Sequence, residues 1–123
     1  MANSDKKISI QNLKLLVRKF CEQRDWDQYH GAKDLAIGII TEAAELLEHF
    51  RFKNERQANQ LLSNNVKRRE ISDEMADIFF FLLRLSQRFN IDLSNSLKSK
   101  MKKNIRKYPI RKAKGSNKKY TEF

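Results

Sequence analysis

Apolar residues recur at helical spacing in four stretches of the chain. In the first stretch, Leu13, Val17 and Phe20 lie three or four positions apart, which is the repeat of one helix face. The same pattern predicts four helices, at about residues 9–24, 33–50, 65–89 and 93–107. Gly and Pro are scarce and good helix formers are plentiful, so we predict an all-α fold.

Polar stretches separate and flank these helices. Residues 51–64 predict a short helix or an ordered loop, and residues 1–7 predict a frayed segment. Pro109 is expected to stop the last helix. We therefore expect one domain at residues 1–109, followed by a basic C-terminal tail at residues 110–123 that is extended or mobile.

The second predicted helix is apolar on nearly every side. A helix of this kind is buried on every side. A domain of 123 residues can hardly enclose a helix completely, so the pattern favours an oligomer.

Two pairs of carboxylates stand out on the two most apolar helices. Glu42 and Glu45 form one pair and Glu74 and Asp77 the other, each three residues apart and so on one helix face. If the helices pack together, four like charges meet, and a divalent cation is the simplest compensation. Oxygen ligands in this number suit Mg²⁺, with Mn²⁺ as a near equivalent. A solvated acidic face is the alternative, and the apolar neighbours of both pairs weigh against it.

The net charge of +11 is concentrated at the C-terminal end. Residues 1–97 carry 15 Lys or Arg and 14 Asp or Glu, whereas residues 98–123 carry 11 and one. On the fourth helix Lys100, Asn104 and Lys107 share one side, where they could hold the phosphates of a nucleoside triphosphate.

Two other classes of protein are compatible with parts of this pattern. A helical module that binds nucleic acid or another partner without catalysis would explain the basic segment, but it leaves the carboxylates unexplained, so nucleic acid is not the favoured partner. A purely structural oligomer is the other alternative.

Several functions are excluded or disfavoured by the sequence. The chain has no glycine loop of the P-loop type. It also lacks the Glu-x-x-His pairs of a di-iron bundle. The apolar run at residues 78–83 is too short to span a membrane. The polar start lacks the apolar region of a signal peptide, so we expect a cytoplasmic protein without a membrane partner.

The loop between the first two helices holds two aromatic residues and a histidine, Trp26, Tyr29 and His30. Aromatic rings beside a suspected site can stack on a base. Alternatively, they cover the end of the core, and the spacing alone does not decide between these two interpretations.

Four segments, taken in order, resemble one known family. They are RDWDQYH at residues 24–30, the E-x-x-E and E-x-x-D pairs with 28 residues between them, SKMKKNIRKYP at residues 99–109 and KKYTEF at residues 118–123. Together they resemble the MazG-like all-α nucleotide pyrophosphohydrolases, and most strongly the dCTP pyrophosphatase branch. The similarity covers about residues 15–123.

The resemblance implies a four-helix core assembled from tight dimers into a homotetramer. It implies Mg²⁺-dependent hydrolysis of the α–β phosphoanhydride of dCTP or a modified dCTP, which releases a nucleoside monophosphate and pyrophosphate and cleans the nucleotide pool. The implied metal ligands and catalytic residues are Glu42, Glu45, Glu74 and Asp77. The implied substrate-binding positions are Trp26, His30, Phe52, Phe81, Lys100, Asn104 and Lys107.

Two of these positions depart from the pattern of the branch. Phe52 stands where the branch has a tryptophan, and Phe81 where it has a tyrosine. A phenylalanine ring still stacks but cannot donate a hydrogen bond to a base or sugar. The hydrolysis is therefore the firmer expectation, and strict selection of one base is the weaker one.

Overall fold

Six α-helices make up most of the described part of the chain, residues 4–123 of a computed structural model, and no strand occurs within that range. The helices are α1 (Ile10–Gln23), α2 (Ala32–Phe50), α3 (Glu55–Ser63), α4 (Asn65–Arg88), α5 (Leu93–Lys107) and α6 (Ile110–Ala113). A 3₁₀ turn also spans Ser4–Lys6, within the segment predicted to fray, whose residues 1–3 lie outside the described range. The all-α prediction is confirmed, and the undecided stretch at residues 51–64 contains α3.

Short polar side chains fix where the helices begin. Ser9 Oγ accepts a hydrogen bond from the Asn12 backbone N–H at 3.1 Å, and Asp92 Oδ1 accepts one from Asn95 at 2.9 Å. Serine and aspartate are residue types that N-cap positions favour. Asn54 and Gln57 form a reciprocal capping box at the start of α3.

The chain divides into two compact units, Met1–Asn90 and Ile91–Phe123. In the first unit, α4 packs against α1, α2 and α3. Its core consists of the buried side chains of Val17, Cys21, Leu35, Ile71 and Leu83.

Helices α2 and α4 run antiparallel and approach closely at Gly38. Gly38 lies against the ring of Phe81, whereas His49, later on α2, contacts Glu74, earlier on α4. A Cβ atom at position 38 would stand 2.6 Å from two Phe81 ring atoms. The Phe81 ring also meets the Phe80 ring edge-on, with 5.2 Å between the ring centroids. The glycine is therefore what allows the ring to fit between the two helices.

The second unit contains α5 and α6. Helix α5 ends at Lys107, just before Pro109, as the sequence predicts. The segment predicted to be extended or mobile contains the single turn of α6 and a 3₁₀ turn at Tyr120–Glu122. The rings of Tyr120 and Phe123 both contact Tyr108, with 5.8 Å between centroids. The domain boundary predicted at residue 109 stays a prediction.

Among residues 4–123, no helix combines the length and the apolar character needed to cross a membrane.

Replacing Gly38 by alanine is expected to destabilise the protein, although alanine is the better helix former. Overpacking of a closed interface costs about 1–3 kcal/mol, against a gain of about 1 kcal/mol from helix propensity. Chemical denaturation measures the difference. The double variant Gly38→Ala/Phe81→Leu should recover stability, since it removes ring atoms from the contact.

Gly31→Ser is the matched control, because a Cβ atom there meets only Asp34 Oδ2 at an ordinary 3.5 Å. Serine also suits the N-cap position that Gly31 occupies. If Gly38→Ala stabilised the protein as much as this control, the close approach to Phe81 would be refuted.

Candidate metal centre and substrate loop

Three of the four predicted carboxylates converge between α2 and α4. Carboxylate oxygens of Glu42, Glu45 and Glu74 all lie within 4.8 Å of one another. Residues three apart share a face of α2, and the antiparallel packing of α4 brings Glu74 opposite that face. The cluster is formed by the helix contact that Gly38 permits, because Glu42 stands one turn after Gly38.

Asp77, the fourth predicted ligand, lies one turn further along α4 and is exposed. It is not a member of this group of three. Its negative charge nevertheless contributes to raising the pKa of Glu42. The structure therefore places Asp77 at the edge of the cluster, and its assignment as a ligand remains a prediction.

The crowding of carboxylates destabilises the ionised form of Glu42. Burial, a hydrogen bond with Glu45 and the charges of Glu45, Asp77 and Glu74 raise the pKa of Glu42 from 4.5 to about 7. A carboxyl group in this state is about half protonated at neutral pH. Positive charge at this site, supplied by a proton or a cation, would relieve the repulsion.

Two oxygens of the cluster lack any partner in the described part of the chain. Glu42 Oε2 and Glu74 Oε2 are buried and accept no hydrogen bond there. Buried acceptors are ordinarily satisfied. Orphaned carboxylate oxygens beside further carboxylates are a donor set that fits a hard divalent cation. Glu42, Glu45 and Glu74 are the residues that would hold it.

His49 contacts this cluster. Its Nε2 atom lies 3.4 Å from Glu74 Oε1, and both side chains are about one-fifth exposed. The sequence placed His49 four residues after Glu45 on α2 but gave no sign of this contact with α4. The pairing supports Glu74 from the side away from its unpartnered oxygen.

The predicted substrate loop follows α1. Trp26 lies edge-on to Phe20 and to His30, with centroid distances of 5.5 and 5.9 Å. Asp25, at the start of the loop, has a left-handed backbone with φ of 55°, which aspartate tolerates better than most residues. Trp26 is partly exposed, so it covers the end of the core and also presents a free ring surface.

Arg84 anchors this loop and is not among the residues predicted from the sequence. Its side chain is 0% exposed. Its Nε donates to His30 Nδ1 at 3.0 Å, one terminal nitrogen donates to Gln87 Oε1 at 2.7 Å, and the other forms a short ion pair with Asp27. The signal that could have revealed it is a single arginine inside the most apolar part of α4, between Leu83 and Leu85.

The other predicted substrate residues occupy different settings. Phe81 packs against Gly38 inside the α2–α4 interface. Phe52 is 91% exposed, has a left-handed backbone with φ of 63°, and carries the Arg51 guanidinium 4.6 Å above its ring. A bulky residue in that conformation is strained.

In the second unit, the predicted phosphate-binding residues lie on α5. Lys100 lines a shallow depression of about 440 Å³ together with Asn95, Ser96, Ser99 and Lys103. Asn104 is half-buried. Lys107 Nζ lies 4.8 Å from the centroid of the Tyr120 ring. The roles proposed for these three residues from the resemblance remain predictions.

Comparison with known proteins identifies the family. The model of the MazG-like family matches residues 37–123. dCTP pyrophosphatase 1 of Homo sapiens is 31% identical over 115 residues, which cover 94% of this chain and 68% of the human protein. The Bos taurus protein of the same name is 30% identical over the same shares.

A solved structure agrees with these sequence relatives. A pyrophosphatase from Archaeoglobus fulgidus superposes with a TM-score of 0.76 and is 36% identical, and the match covers 81% of this chain and 92% of that one. The chain belongs to the MazG-like family. The resemblance read from the four sequence segments is thereby confirmed.

The raised pKa of Glu42 predicts that the metal-free protein loses stability as pH rises. The folded pKa of about 7 lies above the ordinary 4.5, so the stabilising contribution is complete below pH 4.5 and is lost as pH rises through 7. The melting temperature of wild type, measured in a chelator, should therefore fall between about pH 5 and pH 8 relative to that of Glu42→Gln.

Glu48→Gln is the control, since Glu48 is an exposed glutamate on the same helix that pairs with Arg51. Its pH profile should follow that of wild type. Parallel profiles for wild type and Glu42→Gln would show that Glu42 is not protonated near neutral pH.

Proposed function

We propose that this chain hydrolyses the α–β phosphoanhydride of a deoxynucleoside triphosphate, with Mg²⁺ as the cofactor and dCTP or a modified dCTP as the substrate. The broader assignment, that the chain is a nucleotide pyrophosphatase, rests on the named relatives and the solved neighbour. The observation that carries the finer proposal is the cluster of Glu42, Glu45 and Glu74, with its two unpartnered buried oxygens.

The carboxylates would hold the cation, and Mn²⁺ is an acceptable substitute for Mg²⁺. When bound, the cation neutralises charge on the triphosphate and polarises the bond to be broken. The residues of this chain do the rest. A carboxylate at the edge of the cluster orients the attacking water and takes its proton, a role that suits the exposed Glu45 or Asp77.

The substrate is held by residues outside the cluster. Trp26 presents a ring on which a base can stack, and His30 lies beside it. Phe52 would add a second apolar surface. Lys100, Asn104 and Lys107 are proposed to bind phosphate oxygens, since ammonium and amide groups donate to them. Phe81, packed against Gly38, shapes the helix interface rather than offering a polar group to the base.

A homo-oligomer is part of this proposal, with a tetramer as the expected form. Leu35 is the only buried residue of α2 in the described chain, although the helix is apolar on most sides. Ile40 and Leu47, two turns apart on one face, are 71% and 60% exposed. An apolar surface of this kind marks a protein–protein contact. We propose that a second copy covers it.

Glu42→Gln should lower the release of pyrophosphate from dCTP by about 10²–10⁴-fold, because it removes a carboxylate oxygen from the cluster. The assay measures pyrophosphate and orthophosphate separately, with Mg²⁺ and with a chelator, over a panel of canonical and modified (d)NTPs. Glu48→Gln is the matched control and should retain wild-type turnover.

Three results would contradict the proposal. Orthophosphate as the first product would place cleavage at the β–γ bond. If wild type hydrolysed no nucleotide but bound duplex DNA tightly, the alternative of a basic nucleic-acid-binding module would replace it. If Mg²⁺ left the melting temperature unchanged and Asp77→Asn raised it, a purely structural oligomer would be favoured.

Ile40→Glu is expected to dissociate the oligomer, because it places a charge in the apolar contact. Light scattering coupled to size exclusion measures the molar mass. Ile8→Glu makes the same chemical change at an exposed isoleucine outside the helices and should leave the mass unchanged. A wild-type protein of monomeric mass would refute the oligomer.

A further inference from the structure

Arg84 places a positive charge where no water reaches it. Removing a cation from water costs several kcal/mol unless its donors are paired. Here each nitrogen of the guanidinium has an acceptor: His30, Gln87 and Asp27. Arg88 adds a second, longer contact with Asp27, at 3.5 Å from its Oδ2 atom. The arrangement ties α4 to the loop that carries Trp26 and His30.

The bond to His30 decides where the imidazole carries its proton. An arginine nitrogen only donates, so His30 Nδ1 must accept and cannot bear a hydrogen. A neutral imidazole of this kind carries its proton on Nε2. Among residues 4–123, His30 Nε2 has no hydrogen-bond partner, so its N–H is available to a ligand.

The surroundings keep this ring neutral. Burial, Arg84 and Arg88 lower the pKa of His30, and the opposing effects of Asp27 and Asp34 are smaller. These four groups come from α4, the loop and the start of α2, which are the elements around the ring. At neutral pH His30 is thus a single-proton donor and not a cation.

We propose that Arg84 is a positioning residue that fixes His30 as the Nε2–H tautomer, so that the loop offers the nucleotide one hydrogen-bond donor beside the Trp26 ring. This inference rests on the proposed function, because it makes the nucleotide the ligand of that donor. The group that this donor recognises is an acceptor atom on the base or sugar. A phosphate group is better matched by a charged donor, and the neutral imidazole carries no charge.

The tautomer is tested first, without nucleotide or metal. In ¹⁵N-correlated NMR spectra of the histidine side chains at neutral pH, wild-type His30 should show an unprotonated Nδ1 and a protonated Nε2. Arg84→Met should give a mixture of tautomers. Arg88→Met is the matched control, since it also removes a positive charge near His30 and a contact with Asp27 but no hydrogen bond to the imidazole, and it should keep Nδ1 unprotonated.

The second measurement is the affinity for a non-hydrolysable α,β-imido analogue of dCTP in the presence of Mg²⁺. Arg84→Met should weaken binding about tenfold, the effect of one lost hydrogen bond, but should add no further loss in a His30→Ala background. A merely structural role would weaken binding in both backgrounds. If the single variant does not fold, Arg84→Met/Asp27→Asn removes both charges of the ion pair and is measured instead.

A protonated Nδ1 in wild type, or undiminished analogue binding by Arg84→Met, would overturn the proposal. Neither result depends on turnover. A failure of wild type to hydrolyse any nucleotide would count against the proposed function alone. The tautomer of His30 and the affinity for the analogue would still test the role of Arg84.

Discussion

Repulsion between like charges is the constraint around which this protein is arranged. Three carboxylates held within 4.8 Å push α2 and α4 apart. The helices stay together because an apolar contact, Gly38 against Phe81, lies one turn from the cluster on α2. A proton at Glu42 relieves part of the repulsion. A cation would relieve more, so binding and helix packing favour one another.

Two groups of buried charge in the first unit are handled in opposite ways. The guanidinium of Arg84 is fully paired within the chain, which makes it a rigid anchor. One oxygen each of Glu42 and Glu74, the Oε2 atom, has no partner among residues 4–123, so it can accept a ligand. The paired guanidinium holds the loop in place, whereas the unpaired carboxylate oxygens remain able to bind a ligand. Whether a buried charge is paired thus distinguishes the structural arginine from the proposed ligand-binding carboxylates.

Local patterns in the sequence predicted most of the fold and the centre of the site. Helical periodicity, the caps at Ser9 and Asp92 and the three-residue spacing of the carboxylates depend on near neighbours, so they can be read without a structure. Arg84 and His49 could not be placed this way. Arg84 meets His30 across 54 positions and His49 meets Glu74 across 25, and such contacts depend on how helices pack. The short helix α6 was not predicted either, because four residues are too few to show helical periodicity.

The close approach at Gly38 bears on which ions the proposed centre accepts. The Phe81 ring acts as a spacer, and its thickness sets the distance between two helices whose next turns carry Glu42 and Asp77. Mg²⁺ requires oxygens at about 2.0–2.1 Å, whereas Ca²⁺ accepts about 2.3–2.6 Å. In the proposed centre, discrimination by ionic radius would therefore depend in part on two uncharged residues that are not ligands.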